Sequence, residues 1–409
     1  MNRRQFLRAA GAVGGIATLG VGGWTFLDRE EFVEVNVGYA EESGLDAALS
    51  EASEVVREFD FDAVTLRLPE SVAGWLAGQP DIRYVEANSQ LRLHDHDETS
   101  EERPSRPESV PNGVERIEGT AAHESGITGK GASVAVLDTG IGSTHTDLRP
   151  NLGDGKAFAE RSEEVIVDED EDGTKIIIDD DAEENSDLPP WQDDHGHGTH
   201  VAGIAGAVDN GQGVVGVAPE ATLHAVKIGS ESGIEASDVA AGIQFVGDQG
   251  WDVANLSIGE EEPSGVIGDA CTYAYEKGVL LVASAGNVDE GEDNSIVRYP
   301  AAYDDVIAVS ATTGTGELAE FSLTGPEIEL AAPGEDIYST VPGGDYRANS
   351  GTSMASPHVA GAAALLMADR RSNVEARKRL RETAEDVGLD ATEQGNGVVN
   401  VARAFGLER

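Results

Sequence analysis

The sequence predicts an α/β protein: a three-layer domain on a mainly parallel sheet, preceded by a small α+β unit of ferredoxin-like type. Three patterns carry this. Over 113–409, short β-branched runs alternate with helical stretches, the rhythm of a parallel sheet covered on both faces. Over 31–94, period-2 alternation gives way twice to helical spacing, as in a compact α+β unit. Between them, 95–112 (DHDETSEERPSRPESVPN) is polar, Pro-bearing and too poor in apolar residues to pack, so it reads as a linker and a plausible processing site. A length of 409 residues, more than one core usually fills, agrees with several units.

The elements follow in order. Residues 1–27 open MNRRQFLRAA and continue as a Gly/Ala-rich apolar stretch, the charged head and apolar body of an export signal. Arg3 and Arg4, followed by Phe6 and Leu7, resemble a twin-arginine signal, the kind that exports folded proteins. No clear small-x-small cleavage site follows and no cysteine is available for a lipid, so removal and retention as a membrane tether both stay open. Within 31–94 the expected order is strand EFVEVNVGYA, helix LDAALSEASEVVREF, strand AVTLRLP, helix PESVAGWLAG and strand IRYVEANSQLRLH.

The larger unit begins with the strand GASVAVLDTG. Between Phe158 and Trp191 lies an acidic insertion in which VIVDEDEDGTKIII reads as a hairpin turning at Asp172 and Gly173. An EF-hand loop is disfavoured there because the flanks read as strands. Then come helix HVAGIAGAV, strand ATLHAVKI, helix DVAAGIQFVGDQG, strand DVANLSIG, helix DACTYAYEKG, strands GVLLVASAGN and DVIAVSAT, and helix SPHVAGAAALLMAD. Active sites of such sheets lie at the carboxyl ends of the strands.

Lysine and arginine number 28 against 76 acids, a formal charge of -48. That excludes a phosphate-binding surface, and nucleic acid with it, because such surfaces need clustered Lys and Arg. A charge so large destabilises a compact chain in dilute buffer, whereas near 1 M salt the Debye length falls to about 3 Å and the repulsion fades. The composition therefore points to adaptation to high salt. The single cysteine, Cys271, excludes an intramolecular disulfide and fits a small buried apolar residue.

Three segments carry chemistry. Asp138 closes the strand VAVLDTG, where an Asp alone is more often a turn or cap residue. His197 lies in DDHGHGTHVAG at a helix start; three histidines there raise zinc, but HGHGTH lacks the spacing that puts two imidazoles on one helix face with a glutamate. Ser353 sits in NSGTSMASPHVAG, a glycine-flanked turn into an apolar helix, where a serine by itself is usually an N-cap. Here small residues admit a substrate backbone and the helix N-terminus favours an oxyanion.

The order Asp, His, Ser is the one the subtilisin triad takes. VLDTGI, HGTHVAG and GTSMASPHVAG closely resemble the three signature motifs of subtilisin-like serine peptidases, a resemblance that runs from about Val110 to the C-terminus. With the acidic bias and the twin-arginine-like start, the chain is similar to halolysin-type proteases of haloarchaea. The resemblance implies Ser353 as nucleophile, His197 as general base and then acid, Asp138 as the orienting carboxylate, and Asn287 in ASAGN as oxyanion donor; without the other motifs Asn287 would read as a turn residue. It implies a substrate-binding face from Ser257, Ile258, Gly259, Ser284 and Gly286, with isoleucine at 258 where the family usually has leucine. Arg298, before YPA, stands where relatives commonly have glycine at the base of the primary pocket; its guanidinium either narrows the pocket, meets an acidic substrate side chain, or turns outward to Glu292 or Asp293. Asp147, Asn210, Gln212 and Val214 resemble the family's Ca²⁺ site. Residues 31–94 resemble the family's pro-domain, a folding template and inhibitor that leaves its last strand in the cleft. The expected protein is thus a secreted endopeptidase made as a zymogen and acting on protein and peptide substrates. A membrane-tethered processing protease and an inactive binding protein of the same fold are the alternatives.

Overall fold

The computed structural model describes residues 32–93, 110–159, 166–169, 175–178, 188–230, 233–288 and 294–407. The N-terminal unit comprises β1 (Phe32–Tyr39), α1 (Glu42–Glu51), β2 (Glu54–Phe59), β3 (Ala63–Pro69), α2 (Glu70–Leu76) and β4 (Ile82–Ala87). Its antiparallel sheet has the order β2-β3-β1-β4, the ferredoxin-like arrangement. Val35, Val37, Leu66 and Leu68 alternate into its core beneath Ala48 and Leu76 of the two helices.

Two expectations here need correction. The helix foreseen over LDAALSEASEVVREF ends at Glu51, and EVVREF is β2, as its paired β-branched valines prefer. The strand foreseen over IRYVEANSQLRLH breaks at Asn88–Ser89. Asn88 Nδ2 donates to Glu34 (2.6 Å), Ser237 (3.0 Å) and Glu235 (3.1 Å), while its Oδ1 accepts Ser237 N–H at 2.9 Å. This knot redirects the chain into β5 (Gln90–Leu93), which leaves the small sheet altogether.

After α3 (Asn112–Arg116) and α4 (Gly119–Glu124), the larger unit runs β6 (Ser133–Asp138), β7 (Lys156–Ala157), β8 (Ile166–Glu169), β9 (Lys175–Ile178), α5 (His197–Gly206), β10 (Thr222–Lys227), β11 (Gly229–Ser230), β12 (Gly233–Glu235) and α6 (Ala236–Gln249). It continues with β13 (Val253–Leu256), β14 (Ile258–Gly259), α7 (Gly265–Glu276), β15 (Leu280–Ser284), β16 (Val306–Thr312), β17 (Ile328–Pro333), β18 (Ile337–Val341), β19 (Asp345–Asn349), α8 (Thr352–Ala368) and α9 (Asn373–Thr383). The seven-stranded sheet has the order β17-β16-β15-β13-β6-β10-β7, with every neighbour parallel.

Alternation along each strand builds the three layers. Val134 and Val136 of β6, Val282 of β15 and Val309 of β16 face one core with α5 and α8. Ala135 and Leu137, Ala283 and Ala308 face the other with α6 and α7. Strands buried on both sides read as continuous apolar runs, which is how the sequence shows them. Cys271 lies fully buried in α7. In the acidic insertion β8 and β9 pair antiparallel, Ile166 opposite Ile178; the turn at Asp172 and Gly173 lies outside the described residues.

β5 is the link between the two units. It lies antiparallel between β12 and β14, with Leu91 opposite Ile234 and Leu93 opposite Ile258, so an N-terminal strand completes a sheet of the larger unit.

Candidate active site

Asp138 is the last residue of the inner strand β6, at the carboxyl edge of the sheet, and is fully buried. Its Oδ1 accepts Thr139 N–H at 2.7 Å and faces His197 Nδ1, also at 2.7 Å. That contact depends on Gly198: a Cβ there would lie 2.2 Å from the Gly140 carbonyl, so only glycine lets α5 begin against the strand end. With Nδ1–H donated to the carboxylate, Nε2 is the basic nitrogen of the ring.

The turn before α5 is organised by Asp193, which the motif reading did not single out. Its Oδ1 accepts the Thr139 hydroxyl (2.8 Å), Gly196 N–H (2.9 Å) and His195 N–H (3.0 Å), and its Oδ2 accepts the hydroxyl and N–H of Thr199. An Asp just upstream of a helix start is a capping signal that could have marked it. The three nearby histidines do not converge: His195 and His197 ring centroids are 6.5 Å apart, and His200 Nε2 lies 3.0 Å from the Arg347 carbonyl.

Ser353 is the second residue of α8 and is buried. Pro357, four residues on, has no N–H to give the Ser353 carbonyl. The Ser257 hydroxyl donates to that carbonyl instead, at 3.1 Å, while Ser353 Oγ donates to the Ser257 carbonyl at 3.2 Å. Asn255 Nδ2, 3.0 Å from Ser257 Oγ, and Ser356 Oγ at 3.1 Å complete the cluster.

Asn287 follows β15. Its Oδ1 accepts the Thr352 hydroxyl at 2.8 Å and the Thr352 N–H at 3.0 Å, which fixes the carboxamide plane and leaves its NH₂ as the end that donates. Thr352 Oγ1 also accepts Gly286 N–H at 3.1 Å. Gly286 has φ +110°, and Ser284 is buried at the end of β15.

The segments 257–261 and 284–287 form two walls bridged by 298–300. Arg298 N–H donates to the Ala285 carbonyl at 2.9 Å, and Glu260 and Tyr299 exchange two backbone hydrogen bonds of 2.9 Å. The Arg298 stem packs on Gly286, where an added Cβ would meet Cγ at 2.5 Å. Its guanidinium pairs with Glu261 at 2.7 Å. The outward partners considered from sequence, Glu292 and Asp293, lie outside the described residues.

Asp147 is buried in the turns that follow β6. Its carboxylate accepts from the Tyr346 hydroxyl (2.8 Å), Asn210 Nδ2 (3.0 Å), Val214 N–H (3.1 Å) and the Thr146 hydroxyl (3.3 Å). All four partners are neutral. Asn210 Oδ1 accepts Gln212 N–H at 2.9 Å, and Gln212 is otherwise exposed.

Residues 129–406 match the model of the Subtilase family. The chain is 37% identical over 386 residues to an alkaline protease of Alkalihalobacillus alcalophilus, covering 92% of this chain and 89% of that one. It is 41% identical over 300 residues to Subtilisin Savinase of Lederbergia lenta (73% and 99% covered), and 35% identical over 363 residues to Subtilisin E of Bacillus subtilis strain 168 (88% and 85% covered).

Proposed function

The chain belongs to the subtilase family and is a serine endopeptidase; we propose that Ser353, His197 and Asp138 are its catalytic triad, that it is made as a self-processing zymogen, and that it works outside the cell at high salt. The observation that carries the site is the 2.7 Å contact between Asp138 and His197 across the sheet edge from the Ser353 helix. Ser353 Oγ adds to the substrate carbonyl and yields its proton to His197 Nε2. Asp138 holds the tautomer and balances the imidazolium. Asn287 NH₂ and the Ser353 N–H, at the positive end of α8, receive the oxyanion. His197 then protonates the departing amine, and water repeats the sequence on the acyl-enzyme.

Substrates are proteins and peptides that add a strand beside Ser257–Gly259, the edge that β5 takes in this chain. Ser284 and Gly286 form the opposite wall and Arg298 the base of the pocket. Residues 31–94 serve as the intramolecular inhibitor. The charge of -48 supports the salt adaptation and the halolysin-like affinity, and the twin-arginine-like leader supports export, with cleavage in or near 95–112. Among the described residues no helix is long and apolar enough to cross a membrane.

Ca²⁺ is the proposed structural ion. Asp147 is a buried carboxylate with no cationic partner among its described contacts, a charge that a hard cation would neutralise; its present partners all donate, so an ion would take their place with the Asn210 amide turned to present Oδ1. Asp147, Asn210, Gln212 and Val214 would hold it, and its role would be to neutralise that charge and pin the loop.

A phosphonylating or sulfonylating reagent tests the triad. One equivalent should be taken up on Ser353, located by peptide mass, with His197→Ala unlabelled. Ser353→Ala should accumulate as an uncut precursor in a protease-free host. Labelling elsewhere, or normal maturation of Ser353→Ala, overturns the reading.

A further inference from the structure

The face where residues 32–93 dock on the larger unit is crowded with carboxylates. From the small unit, Glu34 lies on β1, Glu86 on β4, and Asp62 sits near Arg83; its cations are Arg57 and Arg83, with Arg92 exposed on β5. From the larger unit, Glu235 and Asp238 stand at the start of α6, Glu260 and Glu262 after β14, and Asp269 on α7. Two ion pairs cross the face: Arg57 to Asp238 at 2.6 Å and Arg83 to Asp269 at 2.8 Å, the second sharing Asp269 with the Tyr84 hydroxyl. Tyr273 of α7 faces Phe61 at 5.8 Å between ring centroids, and Tyr303 reaches the Ser264 carbonyl.

Of the remaining acids, Glu34, Glu86 and Glu260 form no ion pair there among the described residues, and Glu235 has only the pull of Arg57, already paired with Asp238. Glu86 is 7% exposed and covers the N-terminus of α7, accepting Ser264 Oγ and Gly265 N–H at 2.8 Å and Val266 N–H at 3.1 Å. Glu34 and Glu235 share the single Asn88 amide. Glu260 is partly buried beside Ser89, with Glu86 and Glu262 as its charged neighbours.

We propose that this interface is a pH-set clasp: protonation of Glu260 and Glu235 keeps the N-terminal unit seated over the active site, and their ionisation as the medium turns neutral drives it off. The proposal rests on the reading of 31–94 as a pro-segment and adds what releases it. Burial holds the carboxyls of Glu86 and Glu235 above their ordinary range and pushes Glu260 up to about 7. Carboxyls raised in the docked state bind protons more tightly there than when apart. Docking is therefore strongest below the ordinary carboxylate range near pH 4 and weakens as pH rises through about 7. Each unit of raised pKa is worth about tenfold in the docking equilibrium.

The test uses the full-length chain carrying Ser353→Ala, so that nothing is cut. Hydrogen exchange of the β5 amides, Gln90–Leu93, is measured at pH 5.5 and 8 at one salt concentration and corrected for the intrinsic rate. Protection should fall by about tenfold or more at pH 8. Glu235→Gln with Glu260→Gln should keep it high at both pH values. Arg57→Gln, which removes a cation, should shift the loss to lower pH. Equal protection at both pH values, or the same profile in all three chains, overturns the clasp. Maturation of the Ser353-bearing chain is followed separately: if that chain stays uncut while β5 protection still changes with pH, self-processing fails and the clasp stands.

Discussion

Ser257 and Ser353 exchange hydrogen bonds: each hydroxyl donates to the other's carbonyl, at 3.1 and 3.2 Å. The backbone group left unpaired by Pro357 thus ties the start of α8, with the proposed nucleophile, to the edge proposed to bind substrate. Ser257→Ala leaves the buried Ser353 carbonyl without its donor, at a cost of about 1–3 kcal/mol. Thermal unfolding of the Ser353-bearing chain should occur several degrees lower, and kcat should fall with KM little changed. An unaltered midpoint and kcat would show that the exchange holds nothing in place.

Asn287→Ala should lower kcat about 100-fold to 1000-fold, the usual loss for one oxyanion donor. Thr352→Val, which keeps the branched shape but removes the hydroxyl that locks Asn287, should lower kcat by roughly tenfold, in proportion to one lost hydrogen bond. Steady-state kinetics on a chromogenic peptide separate the two. Equal losses would place Thr352 in contact with the substrate rather than behind Asn287.

Transfer from molar salt to dilute buffer should unfold the protein over hours, and a chelator should sharpen the loss by emptying the Asp147 loop. Circular dichroism and residual activity follow both. Full activity after hours in dilute buffer with chelator would refute the salt and calcium readings together.

Arg298→Gly removes the guanidinium that pairs with Glu261 at the base of the proposed pocket. Cleavage of a peptide library should shift toward large apolar side chains, by about tenfold or more, and lose any acceptance of Asp or Glu, because the charge-assisted partner is gone. Both enzymes are compared at equal salt. Identical profiles would show that substrate side chains do not reach Arg298.

Burial pushes the fully enclosed His358 imidazole down to about 4. A base depressed in the folded state charges first in the unfolded chain, so stability falls as pH drops from about 6.5 to 4, by about 3 kcal/mol at most. His145 and His224, also depressed by burial, act in the same direction. In the uncut Ser353→Ala chain the carboxyls of Glu260, Glu86 and Glu235, raised by burial, act the other way, so the histidine contribution is read as a difference: the thermal midpoint of His358→Met should gain on that of its parent as pH falls across that interval.

Asp138, His197, Ser353 and Asn287 could be proposed from the sequence because each sits in a short segment whose glycines and small residues allow close backbone approach. The layers were legible because strands buried on both faces carry unbroken apolar runs. Two features were not. EVVREF continued a helical spacing, and only its pairing with β3 makes it a strand. The break at Asn88 depends on Glu34, Glu235 and Ser237, two of them about 150 positions away. Asp193 and Thr352 were missed for a similar reason: their partners are backbone groups and neighbours of the triad, and a motif lists the reacting side chains but not what holds them. Arg298 was placed at the pocket, but its partner Glu261 belongs to a different loop.

Because β5 and the edges it pairs with belong to one polypeptide, its hold on the cleft before cleavage does not depend on how much protein is present. The tether confers an effective concentration in the millimolar range, so even a weakly bound strand keeps the site filled. Once the 95–112 segment is cut, the same contact becomes bimolecular and subject to dilution. On the proposed zymogen reading, a modest strand of four residues is then an advantage: it would silence the enzyme while covalently attached and let go when the two pieces disperse.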